Sequence, residues 1–455
     1  MKNILKQKHR KRKKYNSYID DEEEKVNIKS NKREKRKKQF IPKPKYFYII
    51  FSIILIFFLL FFLFFKLKNK SNNKNNKNDI ITLPERNLTG KILPREEAIE
   101  SAISYLRKCS NGILINNKTL TEIPNPLISI VIPCYFCKDY IKKALRSIQN
   151  QNFNEIEIII VNDDLDNSTI TILNSLKEED PRIKLILNNK RMGILYTRSM
   201  GVLLSKGIYV TTLDQDDFFL DYDVFDYLYH VAFYEKIDIV VFKILEGYGY
   251  DDKNKFRDNN NNKKRTNLTI YQPILSCHTL ADNGTFRSDD IYIWAKFFKA
   301  MVYKSSINLL GKERYSTFME WEEDVIMTFL TVNMAESYKF IDKYGYFHLL
   351  HGGTPTTRLP GWKKNYYRLI KVDIFFDFCK KECKLAPVLE LIEMRGDFQS
   401  ELDAENRMYL ERLIKKIFEA KDIEIKYKEE IKKLYRNYFP NLGNFSENIN
   451  FTEIS

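Results

Sequence analysis

The stretch Tyr209-Val210-Thr211-Thr212-Leu213-Asp214-Gln215-Asp216-Asp217-Phe218 decides the fold. Its first half is apolar and β-branched, the signature of a strand buried on both faces of a parallel sheet. Its second half places three carboxylates within four residues. Such anions repel one another unless a cation sits among them, and oxygen-only ligands at that density suit a hard divalent ion such as Mn²⁺ or Mg²⁺. Ligands of open α/β sheets bind at the carboxyl ends of strands, which is where this cluster falls. An acidic turn that merely caps the next helix is the competing reading.

Outward from this stretch the pattern is strict strand–helix alternation. Residues 127–133 and 155–161 (EIEIIIV) read as strands, as do residues 183–187. Helical spacing occupies residues 138–149, 168–177 and 194–205 between them, and this order predicts an α/β fold, a mostly parallel sheet flanked by helices. Further on, residues 222–234 read as a helix and 238–244 as a strand, with a low-complexity insertion at 247–267. Residues 291–307 read as a helix, 322–334 as a helix opened by acids, and 346–350 as a short strand. From residue 367 about four amphipathic helices follow.

The chain has 455 residues and a net charge of +15. Much of that excess precedes residue 45, in Lys11-Arg12-Lys13-Lys14 and Lys35-Arg36-Lys37-Lys38, so the charge argues for a basic tail rather than for nucleic acid. Residues 46–65 (YFYIIFSIILIFFLLFFLFF) are uncharged and long enough, at 1.5 Å per residue, to cross a hydrocarbon core of about 30 Å. They run directly into Lys66-Leu67-Lys68, with no small-residue cleavage site, and the denser basic block precedes them. These features predict an uncleaved transmembrane signal-anchor of type II orientation, in a Golgi or ER membrane with the catalytic part lumenal. The predicted division is 1–45 cytosolic tail, 46–65 anchor, 66–125 stem, 126–360 catalytic domain and 361–455 helical region.

N-x-S/T sequons, among them Asn87, Asn117, Asn167, Asn267, Asn283, Asn444 and Asn450, are consistent with that topology. Six cysteines (Cys109, Cys134, Cys137, Cys277, Cys379, Cys383) allow fifteen complete pairings, and packing or one structural bridge is the simplest reading of them. No second pair accompanies Cys134 and Cys137 at zinc-site spacing.

The segment 127–233 resembles the nucleotide-binding half of glycosyltransferase family 2, whose fold is GT-A. The resemblance lies in ordered pieces: ISIVIPCY from Ile128, LRSIQNQ from Leu145, EIIIVND from Glu157, GILYTRSMG from Gly193, SKGIY from Ser205 and LDQDD from Leu213. It implies that Pro133 and Tyr135 border the nucleotide base, that Asp163 accepts from the uracil N3–H, and that Gly193 and Arg198 line the nucleotide and phosphate pocket. It implies further that Asp214, Asp216 and Asp217 hold ribose and metal, as the family's D-x-D motif does. Asn162, Asp164-Leu165 and Ser199 depart from the usual pattern. Downstream, Trp294-Ala295-Lys296-Phe297-Phe298-Lys299 and Trp321-Glu322-Glu323-Asp324-Val325 resemble the family's W-x-K and E-D-V elements, which makes Asp324 the expected catalytic base and Glu323 its neighbour that orients it or binds acceptor.

The function implied is metal-dependent transfer, with inversion, from a UDP-sugar to a hydroxyl on a glycan, glycoprotein or glycolipid. A lipid-linked sugar synthase and an inactive membrane-anchored binding protein are the rivals. Trp294, Trp321 and Trp362 are sugar platforms or core residues. His348 and His351 read as ordinary surface or core histidines ahead of any ligand role, and His278 still more so.

Overall fold

The computed structural model describes residues 90–114, 120–249, 256–258, 269–271, 292–352, 358–379, 385–394 and 404–438. The expected tail and anchor, His278, Cys277, Cys383 and every sequon except Asn167 lie outside these residues.

Helix α1 (Arg95–Ser110) leads into the alternating segment: β1 (Ile128–Cys134), α2 (Ile141–Gln149), β2 (Ile156–Asn162), α3 (Asn167–Glu179), β3 (Ile183–Leu187), α4 (Ile194–Leu204) and β4 (Tyr209–Thr212). β1, β2 and β4 are buried along their whole length, which is why they read as continuous apolar runs. β1 pairs in parallel with β2 and β4, and β2 with β3. Strand ends are therefore aligned, and the loops after β1, β2 and β4 open on one edge. Helix α4 lies close on β1 because Gly201 has no side chain; a Cβ there would fall 2.4 Å from Val131 Cγ1. α1 packs on α2, its Tyr105 hydroxyl donating to Ser147 O at 2.7 Å.

The second half comprises β5 (Phe218–Phe219), α5 (Val224–Tyr234), β6 (Ile239–Gly247), β7 (Arg257–Asp258), β8 (Thr269–Tyr271), β9 (Lys296–Lys299), α6 (Ala300–Leu310), α7 (Lys312–Tyr315), α8 (Glu323–Met334) and β10 (Ser337–Leu349). The sheet order is β3-β2-β1-β4-β9-β6-β10-β5, with β7 on β6 and β8 on β10. Its character is mixed rather than mostly parallel. β9 runs antiparallel between β4 and β6, while β6 and β10 are parallel to each other. The helix expected over residues 291–307 is thus a strand and then a helix. The difference arises because Lys296, Phe297 and Phe298 find partners in β4 and β6, far away in sequence, and sheet pairing overrides local helical spacing. The short strand expected at 346–350 is the far end of the thirteen-residue β10.

Helices α9 (Gly361–Phe378), α10 (Leu385–Glu393), α11 (Ala404–Glu419) and α12 (Ile425–Tyr438) close the chain. α9 has two apolar stripes at helical spacing. Tyr367, Ile370 and Ile374 face the core beneath the sheet, and Leu369, Val372 and Phe376 face the core of α10–α12. One helix thereby joins both cores.

Candidate active site

The acidic turn after β4 is pinned from three sides. Gln215 donates to Tyr135 O at 2.6 Å and accepts from Tyr135 N–H at 2.6 Å, fastening the turn to the loop after β1. Asp217 is buried (1% exposed) and accepts from the Tyr346 hydroxyl at 2.7 Å and from Leu349 N–H at 2.9 Å, fastening it to β10. Asp214 accepts from Arg198 Nη2 at 3.0 Å. Asp216 meets His351 Nε2 at 2.7 Å. The three carboxylates therefore diverge to separate partners, and among the described residues no group of three or more His, Cys, Asp or Glu side chains gathers as a metal cage. Burial first, then the charge of Asp216, lifts the Asp217 carboxyl well above the ordinary carboxylate range. The more exposed Asp214 and Asp216, with His351 beside them, are the groups open to a ligand.

Arg198 joins this turn to the acidic run before α8. It is 1% exposed, and its Nη2 lies 3.0 Å from Asp214 Oδ1 and 3.2 Å from Glu323 Oε1. Burial disfavours its charge, but the two carboxylates overcome that and hold it protonated more firmly than an ordinary arginine. Both acids meet the one nitrogen Nη2, while Nε and Nη1 are buried without a hydrogen bond among the described residues. Burial raises the Glu323 carboxyl in spite of Arg198. Asp324, one residue on and partly exposed, is raised well above its ordinary range by burial and then by Glu323 and Glu322. A carboxylate so raised accepts a proton more readily, as a general base requires.

Asp163 sits at the end of β2. Its oxygens accept from Asn188 Nδ2 (2.8 Å), Met192 N–H (2.7 Å) and Gly193 N–H (2.8 Å), so the carboxylate organises the loop before α4. Gly193 adopts φ +87°, and a Cβ there would lie 2.6 Å from Met319 O. Only glycine suits both the left-handed conformation and the close approach. Arg191 of the same loop lies over the Tyr135 ring, 4.0 Å from guanidinium carbon to centroid, and pairs with Glu320. Tyr135 borders this loop through that stack, and Pro133 is buried within β1 opposite Val161. Cys134 and Cys137 form a disulfide at the end of β1, while Cys109 is free and buried and Cys379 is buried.

Trp294 is a core residue rather than an open platform, 6% exposed and stacked on Tyr292, Tyr346 and His348. Trp362 is 45% exposed. His348 meets Glu246 Oε1 at 3.2 Å; burial opposes its charge, but the Glu246 contact and the field of Asp217 lift it to about 9. Sequence reasoning weighed His351 as ordinary and passed over Tyr346 and Gln215. The paired histidines before Gly352 were the available signal for the first, whereas nothing local marks the other two.

Comparison with known proteins fits this geometry. Residues 129–290 match the family model "Glycosyl transferase family 2". A Haemophilus influenzae protein described as an uncharacterized glycosyltransferase is 36% identical over 93 residues, covering 20% of this chain and 37% of the relative. The Escherichia coli UDP-Glc:alpha-D-GlcNAc-diphosphoundecaprenol beta-1,3-glucosyltransferase WfaP is 38% identical over 94 residues, 21% of this chain and 37% of that protein. The chain thus spans little more than a third of the length of these relatives. Among solved structures, Staphylococcus aureus TarS 1–349 in complex with UDP-GlcNAc aligns at TM-score 0.49 and 14% identity, covering 70% of this chain and 92% of the other.

The relatives correct the expected location. They are bacterial glycosyltransferases, and bacteria have neither Golgi nor ER, so the reading as a single-pass Golgi or ER membrane protein is overturned. Among the described residues no helix is long and apolar enough to cross a membrane, and residues 46–65 lie outside them. What the matched segment shows is a likeness: residues 129–290 are similar to the glycosyltransferase family 2 domain.

Proposed function

We propose that the chain transfers a sugar from a UDP-sugar to a hydroxyl acceptor by single displacement with inversion, assisted by a divalent cation. The observation that carries this reading is Arg198, whose one guanidinium nitrogen contacts both Asp214 and Glu323 and so puts the acidic turn and the Glu323–Asp324 run in one cleft. The nucleotide occupies the edge formed by the loops after β1, β2 and β4, with its base near Tyr135 and the Asp163-ordered loop. The division into a nucleotide half (126–235), an acceptor half (236–360) and a supporting helical region (361–455) belongs to the same reading.

The donor set partly fits a metal. Asp214 and Asp216 would offer carboxylate oxygens to such an ion, although no three metal-ligand side chains are gathered among the described residues. Asp217 is instead held by β10 and fixes the turn. A bound ion would neutralise charge on the departing diphosphate. Asp324 takes the proton of the attacking hydroxyl, and Glu323, fixed by Arg198, keeps it oriented. The name of the Escherichia coli relative favours a diphosphate-linked lipid as acceptor, which is the second reading.

The test incubates the purified full-length chain with a panel of nucleotide sugars and Mn²⁺ and measures nucleotide release, alone and with soluble glycan or undecaprenyl-diphosphate sugar acceptors. UDP-sugar turnover stimulated by one acceptor class supports the reading. Failure to turn over any donor, with no Mn²⁺-dependent UDP binding, identifies an inactive binding protein instead.

A further inference from the structure

The acidic run that carries Asp324 is held from behind by a buried ion cluster. Glu322 precedes α8 in the left-handed conformation, φ 69° and ψ 1°, and its side chain does not cap the helix. A residue with a Cβ is held there only by its surroundings. The Glu322 side chain reaches backward, Oε2 lying 2.7 Å from Lys371 Nζ of α9, while the same ammonium lies 2.6 Å from Glu390 Oε1 of α10. The Glu322 contact is one of charge, since Glu322 Oε2 has no aligned hydrogen bond. Lys371 is 6% exposed and Glu322 9%.

Lys371 lies between the two apolar stripes of α9, where an aliphatic side chain would bury without desolvation cost. A buried charge cluster in such a place contributes more to fixing one arrangement than to stability. What it fixes here is a turn. With Glu322 drawn toward α9, the next residue, Glu323, points to Arg198, and Asp324 remains at the cleft.

We infer that Lys371 is a positioning residue: by gripping Glu322 from the C-terminal helices it sets the backbone turn that presents Glu323 and Asp324. The C-terminal region is then part of the catalytic geometry although it supplies no group to the reaction. The structural part stands on the contacts alone; only its effect on turnover rests on the function proposed above.

The test is amide hydrogen exchange on the full chain. Lys371→Met should speed exchange over residues 319–328 about tenfold and leave residues 128–163 at the wild-type rate. In turnover, kcat for nucleotide release should fall about tenfold while Mn²⁺-dependent UDP affinity stays within about twofold, and Lys371→Arg should restore both exchange and kcat. Unchanged exchange over 319–328 overturns the inference, as does a rise spread over the whole chain. If Lys371→Met does not fold, Glu322→Gln cuts the same link from the other end, and wild-type exchange in that variant overturns it equally. The proposed function fails by a different result, full turnover in Asp324→Asn, which leaves the exchange experiment to be decided on its own.

Discussion

The β1–β4 side of the sheet is assembled from neighbours in sequence, each strand returning in parallel through a helix, whereas the β6–β10 side is closed by β9, a four-residue strand inserted antiparallel between β4 and β6. The first side carries the Asp163 loop and the acidic turn. The second carries Tyr346, His351, Glu323 and Asp324, brought up by long-range pairing and by contacts with α9. The comparison teaches that the β1–β4 edge is specified locally, while the geometry facing it depends on tertiary packing. Loop closure over such separations costs entropy that many weak contacts must offset.

Four substitutions sharpen or break this comparison. Asp324→Asn keeps the size of the side chain and removes the proposed base. It should lower kcat by roughly 10²–10⁴ and spare Mn²⁺-dependent UDP affinity by calorimetry; equal loss of both would put Asp324 on the nucleotide side. Arg198→Met removes the link between the two sides and leaves the buried Glu323 and the part-exposed Asp214 without their cation. Breaking a buried pair of this kind costs about 3–5 kcal/mol, read from urea unfolding. A variant as stable as the wild type would mean that the cleft is held by other contacts.

Gly193→Ala tests the nucleotide side alone. The left-handed φ and the clash with Met319 predict a loss of roughly 1–3 kcal/mol, with weakened UDP binding. The smallest effect belongs to Asp166→Ala, remote from the cleft. Asp166 caps α3 by accepting from Ser168 N–H at 3.1 Å, and its hydrogen bonds with Ser168 hold its carboxyl below the ordinary range. A depressed folded-state value gives stability that is present above the unfolded-state value of about 3.9 and lost as pH falls through the folded one. The variant should therefore have a slightly lower urea midpoint at pH 7, and the difference should shrink under acid. A difference independent of pH would mean that the charge of the cap is irrelevant.

The same division governed what could be read from the chain itself. β1, β2 and β3 and the helices between them were legible because buried apolar runs and helical spacing are local signals, and the LDQDD step marked the turn without any tertiary knowledge. β9 was not, because the run from Tyr292 to Lys299 gains its strand character only from β4 and β6. The acidic residues were found as a group, yet their separate destinations were not: spacing put Asp214, Asp216 and Asp217 together, and only packing sends them to Arg198, His351 and Tyr346. Lys371 looked like one more polar position on an amphipathic helix.

The fastening of Asp217 to Tyr346 and Leu349 has a mechanical consequence. His351 follows Leu349 by two residues, so the imidazole and the acidic turn hang from the same end of β10. His351 stands two residues beyond the end of that strand. Any displacement of the end of that strand would therefore move Leu349, and with it the acidic turn, together with His351.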